Sequence, residues 1–331
     1  MGKIKIAING FGRIGRVLTR AIASHPNIEL VAVNDLTDAK MLAHLLKYDS
    51  IHRQFNGTIE VVDNGIKIND SVVKVYNERD PELLPWKDLN IDVVIECTGI
   101  FRTKATASKH LIAGAKKVII SAPAKSDDVT SVVIGINEDI LTSKDEIISN
   151  ASCTTNCAAS MVKIIDDLCG IESSFLTTIH SYTGDQRILD APHRDYRRAR
   201  AAAESIIPTT TGAAIAVTKI LPHLDGKING SAVRVPTPDG SLTDITFLVK
   251  KTTTIDQINL AFKNAAENKL KGIIEYTEDP IVSSDIIGNT HSCIIDGNLT
   301  EVNGRLIKVV GWYDNETGYS NRLADLVDII G

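Results

Sequence analysis

The first 35 residues constrain the fold of this chain more than any other segment. Residues 3–8 read as a buried strand, and Gly10-Phe11-Gly12-Arg13-Ile14-Gly15 follows directly. Residues 11–24 read as a helix that His25-Pro26-Asn27 stops. Residues 28–33 are a nearly continuous apolar run, the pattern of a strand covered on both faces. Strand, glycine turn, helix and strand in that order make a parallel βαβ unit.

The three glycines of such a turn have separate tasks. One allows the tight turn, one lets the backbone approach a pyrophosphate, and one lets helix and strand pack closely. The helix N-terminus adds about half a positive charge. Asp35 lies twenty residues beyond Gly15, at the end of the second strand. A carboxylate there accepts hydrogen bonds from a ribose 2′-hydroxyl and repels a 2′-phosphate. The pattern predicts an NAD site that prefers NAD over NADP. A ligand-free glycine turn with a helix-capping aspartate is the bland alternative.

The rest of the first half repeats the alternation. Residues 39–48 and 104–113 read as helices, and residues 93–97, 118–121, 132–134 and 147–149 as buried strands. Residues 57–76 differ: short runs broken by Asp63-Asn64-Gly65 and Asn69-Asp70 read as an antiparallel meander. Residues 1–150 therefore predict a doubly wound α/β domain. From 151 the pattern changes. A helix at 154–169 is followed by long strands at 173–181, 228–235, 243–250 and 305–313, with turns such as Pro238-Asp239-Gly240. These predict an α+β domain, 151–315, with a mostly antiparallel sheet. An amphipathic helix at 317–330 ends the sequence.

Composition excludes several classes. The 331 residues are 43 % apolar with a net charge of −5, which fits two globular domains and argues against disorder. Net negative charge gives no reason to expect nucleic acid, and no apolar run is long enough to predict a membrane span. The immediate strand at residue 3 leaves no room for a signal peptide. Five scattered cysteines, an odd count, predict free thiols and a reducing, cytoplasmic setting. Cys153 and Cys157 have a spacing that metal ligands can use, but no third ligand lies near, so no metal is expected.

Candidate chemistry centres on Asn150-Ala151-Ser152-Cys153-Thr154-Thr155-Asn156-Cys157, where a strand pattern gives way to a helix. A cysteine at a helix N-terminus gains thiolate character. His180, at the end of a long strand, could take its proton and hold it as an ion pair. Packing as a small hydrophobe is the alternative; for Cys157, one turn further in, it is the preferred reading. Arg187, Arg194, Arg197, Arg198 and Arg200 crowd one stretch, interrupted by Asp185, Asp190 and Asp195. They read either as a solvated face or as a cradle for substrate phosphate. Thr209-Thr210-Thr211-Gly212 opens a helix, a second anion site, and Arg234 sits late in a strand. Several anion elements beside a nicotinamide cofactor predict a phosphorylated substrate.

Taken together, Asn9 to Gly15, Ala151 to Cys157, His180 to Gln186, Arg234-Val235-Pro236 and Trp312-Tyr313-Asp314-Asn315-Glu316 resemble the phosphorylating glyceraldehyde-3-phosphate dehydrogenases of bacterial glycolysis. The resemblance implies a Rossmann-like dinucleotide-binding domain, joined by the C-terminal helix 316–331, and a catalytic domain. It implies that Gly10, Gly12, Arg13, Ile14, Gly15, Asp35, Arg79, Thr98, Ser121 and Asn315 bind NAD. Cys153 would be the nucleophile and His180 the base. Thr183 and Arg234 would hold the phosphate of glyceraldehyde 3-phosphate; Ser152, Thr154, Arg198, Thr211 and Gly212 would hold inorganic phosphate or share the first. The segment 183–204 would pack across a homotetramer interface. Ala191 stands where NAD-specific members carry leucine, which would relax discrimination against NADP. Erythrose-4-phosphate and semialdehyde dehydrogenases are the nearest alternatives, and a binding protein on the same scaffold is the alternative of another class.

Overall fold

A computed structural model describes residues 2–331. They form two compact units. One comprises residues 2–132, 138–151 and 320–331; the other comprises 133–137 and 152–319.

The first unit is built on a nine-stranded sheet. Its order is Thr130–Ser131, Ile147–Ser149, Lys117–Ile120, Val93–Glu96, Ile4–Asn9, Ile28–Asn34, Ser71–Tyr76, Gly65–Ile68 and Ile59–Val62. The pairs from Thr130–Ser131 through Ser71–Tyr76 are parallel, and the last two are antiparallel. The central strands are covered on both faces, which is why they read as unbroken apolar runs: all four residues of Val93–Glu96 are buried. Helix Arg13–Ile22 buries Val17, Leu18 and Ile22. Asp38 caps helix Ala39–Lys47, and Thr103 closes a capping box on helix Lys104–Ile112. The chain winds away from Ile4–Asn9 on one side and returns as Val93–Glu96 on the other. Open α/β sheets bind ligands beyond the strand ends at such a switch point.

Two predicted elements are corrected. The first helix starts at Arg13, because Gly12 is an extended N-cap (φ −74°, ψ −154°). The strand expected at 132–134 lies instead at Thr130–Ser131, paired with Ile148 and Ser149. Val132, Val133 and Ile134 are buried, so their hydrophobicity imitated a strand, but Val133 enters a turn whose N–H bonds the Asn137 side chain at 2.8 Å.

The second unit carries an eight-stranded sheet: Ile207–Thr209, Ile228–Val235, Ile171–Ser181, Ser241–Val249, Leu306–Tyr313, Cys293–Asp296 and Ile274–Thr277, with Glu301–Asn303 also on Leu306–Tyr313. Most pairs are antiparallel. The exceptions are Ile171–Ser181 with Ile228–Val235, and Ile274–Thr277 with Cys293–Asp296. Helix Cys153–Cys169 packs on this sheet through Cys157, Met161 and Ile165, among others. Gly311 makes the approach possible: a Cβ there would lie 2.5 Å from Cys293 Sγ and 2.9 Å from Met161 Sδ.

A loop contact fastens the start of the first helix. Asp49 accepts the backbone N–H groups of Ile51 and His52, both at 2.9 Å, and pairs with the Arg13 guanidinium. Burial alone would push this carboxyl up, but the His52 and Ile51 amides and Arg13 outweigh it and hold it down at about 2. A carboxyl easier to ionise when folded stabilises fully above its unfolded pKa, near 4, and loses that contribution as pH falls toward about 2. Solvent screening keeps the effect at or below about 2 kcal/mol. Asp49→Asn should therefore lower Tm at pH 6 by about 2–6 °C, and the gap should close near pH 2. An equal gap in melts at both pH values would contradict this account.

Candidate active site

The glycine turn leaves the strand Ile4–Asn9 with Gly10 at φ +91°, and a Cβ there would lie 2.7 Å from the Thr98 amide nitrogen. At Gly15 a Cβ would lie 2.6 Å from the Gly10 carbonyl oxygen. Backbone cannot retreat from either contact, so the fold itself requires these two glycines. Gly12 differs. Its φ is ordinary and a Cβ would meet nothing within 4 Å. The protein gives no internal reason for glycine at this position; an incoming pyrophosphate does, at a helix N-terminus that favours anions. On that observation the residues fit a dinucleotide.

Asp35 accepts the Phe11 N–H at 2.8 Å, which ties the end of the second strand to the turn and leaves its other carboxylate oxygen for a ribose. Thr98 and Ser121 follow the ends of adjacent strands, Val93–Glu96 and Lys117–Ile120. Arg79 is exposed, next to Glu78, whose N–H and carbonyl both bond Asn34. The Arg13 guanidinium pairs with Asp49 and anchors the helix start, so an anion at this helix N-terminus would meet the backbone N–H groups of Arg13 and Ile14.

In the second unit, Ser152 caps helix Cys153–Cys169, accepting the Thr155 N–H at 3.1 Å, and so makes Cys153 the first helical residue. Cys153 Sγ lies 3.5 Å from His180 Nε2. His180 Nδ1 is 2.8 Å from the Ser181 carbonyl oxygen and 2.8 Å from Arg234 Nη1, which itself donates to that carbonyl at 2.9 Å. Arg234 Nη1 can only donate, so the two contacts of Nδ1 call for opposite tautomers; accepting the thiol proton needs Nδ1–H on the Ser181 carbonyl, and Arg234 then bonds that same carbonyl and not the imidazole. His180 and Arg234 are register partners on parallel neighbouring strands, which brings their side chains together.

Burial works against charge at this pair. It pushes the thiol up to about 11, while Arg234, the Thr154 amide and hydroxyl and the Cys153 amide pull it down. Burial also pushes the imidazole down to about 3, with Arg234 acting in the same direction and the Ser181 carbonyl opposing. Each direction is that of one group charging alone. Proton transfer across 3.5 Å charges both groups together, and their mutual attraction then opposes the burial cost.

The expected phosphate residues divide. Arg234 keeps a buried Nε with no hydrogen-bond partner among the described residues, a donor aimed at nothing in the protein. Gly212 caps helix Ala213–Ile220 without a side-chain bond, and a Cβ there would meet nothing within 4 Å. The Thr211 hydroxyl accepts the Ala213 N–H at 3.1 Å. Thr183 is half-buried, its N–H donating to Gln186 at 3.2 Å. Arg198 does not offer an open fork: it bonds Asp185 at 2.7 Å, Thr209 at 3.0 Å and the Thr210 carbonyl at 3.1 Å, bracing the threonine run. Thr154 is buried, its hydroxyl 2.9 Å from the Tyr313 hydroxyl, and the Ser152 hydroxyl caps the helix.

Sequence reasoning missed the residues that orient this site. Tyr313 is buried edge-on to His180, with ring centroids 5.9 Å apart, and Thr178 holds its hydroxyl at 2.8 Å. Ser181 and Ser241 each donate to Asn315 Oδ1 at 2.8 Å, which directs the asparagine amide nitrogen. The only signal in the sequence was alternation along the strands, which marks an inward face but no partner.

The glycines yield a paired test. Gly12→Ala should fold normally and weaken NAD binding by about tenfold or more, whereas Gly15→Ala should lower Tm before any ligand is added. Titration with NAD and thermal melts check both; normal NAD affinity in Gly12→Ala would remove the argument for the turn.

Comparison with known proteins agrees with this geometry. Residues 4–104 match the family model of the glyceraldehyde 3-phosphate dehydrogenase NAD binding domain, and residues 152–315 that of its C-terminal domain. The chain is 55 % identical to glyceraldehyde-3-phosphate dehydrogenase of Geobacillus stearothermophilus over 329 residues, 99 % of this chain and 98 % of that relative. It is 58 % identical to the enzyme of the same name from Thermotoga maritima, covering 98 % of each. With Bacillus subtilis glyceraldehyde-3-phosphate dehydrogenase 1 the identity is 54 %, over 99 % of this chain and 98 % of the relative. Two matched domains and a full-length likeness to such relatives place the chain in the glyceraldehyde-3-phosphate dehydrogenase family.

Proposed function

We propose that the chain oxidises D-glyceraldehyde 3-phosphate to 1,3-bisphosphoglycerate, consuming inorganic phosphate and reducing NAD, the oxidative step of glycolysis. One observation carries the chemistry: a cysteine at the head of a helix, 3.5 Å from a buried imidazole whose other nitrogen lies on the Ser181 carbonyl. NAD, bound by the first unit, supplies the hydride acceptor.

Cys153 Sγ attacks the aldehyde carbon as its proton moves to His180 Nε2, then to the new oxygen, giving a thiohemiacetal. His180 next takes the hydroxyl proton as the hydride departs, and a thioester remains on Cys153. Phosphate oxygen attacks the thioester carbon, the C–S bond breaks, and the thiolate leaves to be reprotonated by the imidazolium. Helix-start N–H groups near Cys153 would stabilise the oxyanion.

Arg234, Thr183, Thr211 and Gly212 would receive the two phosphates, and Arg198 would hold the threonine run in place. Ser152 and Thr154 would act from beneath, as cap and as thiol partner. Asn315, oriented by two serines, would meet the nicotinamide amide. We read the loop at 183–204 as a contact between copies in a homotetramer: Ile188, Leu189 and Tyr196 are 88 %, 75 % and 90 % exposed. Five free thiols fit a reducing, cytoplasmic setting, and among the described residues no helix is long and apolar enough to cross a membrane.

NADH production from glyceraldehyde 3-phosphate should require inorganic phosphate, and Cys153→Ser should reduce turnover at least about a thousandfold while NAD still binds. Phosphate-independent turnover at the full rate would sink the phosphorylating reading. His180→Asn should slow turnover by about a hundredfold or more and slow alkylation of Cys153 at neutral pH. An unchanged alkylation rate would remove His180 as the thiol's base.

A further inference from the structure

We propose that Glu96 and His110, which touch no substrate, are positioning residues for the dinucleotide, acting through one saturated carboxylate buried under the segments that line its site. The proposal rests on the dinucleotide reading of the first unit. Glu96 is 1 % exposed and His110 0 %. Glu96 Oε1 accepts the Thr98 N–H at 2.8 Å and also the Thr98 hydroxyl. Oε2 accepts the Asn9 amide at 2.6 Å and lies 3.0 Å from His110 Nε2.

The imidazole's role follows from its other side. The Trp86 indole N–H can only donate, and it lies 3.1 Å from His110 Nδ1. Nδ1 is therefore the acceptor, Nε2 carries the proton, and His110 donates to Glu96. Four donors meet two carboxylate oxygens, which fills them.

From this centre the bonds spread to each cofactor segment. Asn9 Oδ1 accepts the Asn34 amide at 2.7 Å, and Asn34 exchanges bonds with Glu78 at 2.8 and 2.9 Å. The Gly10 N–H donates to the Asn34 carbonyl at 2.8 Å, and the Cys97 N–H to the Asn9 carbonyl at 2.7 Å. The glycine turn, the strand end before Asp35, the Glu78–Arg79 segment and Thr98 thus share one anchor. An apolar side chain would fill the volume of Glu96 with less desolvation cost. What the carboxylate adds is direction, fixing the rotamers of Asn9 and Thr98 and with them the strand ends beside Gly10.

The test compares two substitutions at one position. His110→Gln keeps a donor where Nε2 stood; His110→Leu removes it, and both lose the ring. Binding of NAD is measured by titration of the purified full chain, with melts of the NAD-free protein and steady-state kinetics alongside. His110→Leu should raise the Kd for NAD about tenfold over His110→Gln, while kcat at saturating NAD and the KM for the aldehyde stay within about twofold. Glu96→Gln, which turns an amide donor toward donors, should show the same split. Equal Kd values for the Gln and Leu variants, or a loss confined to kcat, would overturn the proposal. Failure of the unsubstituted chain to bind NAD would overturn the dinucleotide reading beneath it, a separate and recognisable result.

Discussion

The contact between Cys153 and His180 has to be usable in a place that resists charge. Burial around the pair raises the free energy of both the ionised sulfur and the protonated imidazole. The surrounding residues act against that cost. Ser152 sets the helix start, Thr154 contributes an amide and a hydroxyl, and Arg234 brings a fixed positive charge. The imidazole cannot turn away, since Ser181 holds Nδ1 and Tyr313 lies against the ring edge. The result is a thiol and an imidazole held 3.5 Å apart, within reach of a proton passing between them.

The same Arg234 serves two ends. One nitrogen of its guanidinium lies against the imidazole, while Nε is buried without a protein partner. Such an orphaned donor is costly unless something fills it, and an anion would do so. Arg198 shows the contrast: its bonds to Asp185, Thr209 and Thr210 are already made, so it shapes the threonine loop. Two arginines with similar sequence surroundings are thus divided by what their neighbours have already satisfied.

Much of the first unit was legible because its signals are local. Apolar runs, the glycine turn and the position of Asp35 all report on structure within a few dozen residues. The misread strand at 132–134 marks the limit of that method: burial was inferred correctly for Val132 and Val133, but burial does not say whether a ladder or a turn provides it. In the second unit the runs at Ile207–Thr209, Ile274–Thr277 and Cys293–Asp296 are too short to show a period. At the thiol site the reactive pair could be named but not the residues that support it.

The sequence by itself determined the βαβ start, the dinucleotide turn, the helix that presents Cys153 and the kinds of residue available for anions, because each depends on spacing along one segment. Only the tertiary structure decided that the strands of His180 and Arg234 run parallel and in register within a sheet that reads as antiparallel. It alone decided that Arg13 and Arg198 are occupied by aspartates, and that Glu96 gathers donors from Asn9, Thr98 and His110. These outcomes depend on which groups meet across long sequence separations and on how much water remains between them, and neither quantity is written in the order of the residues.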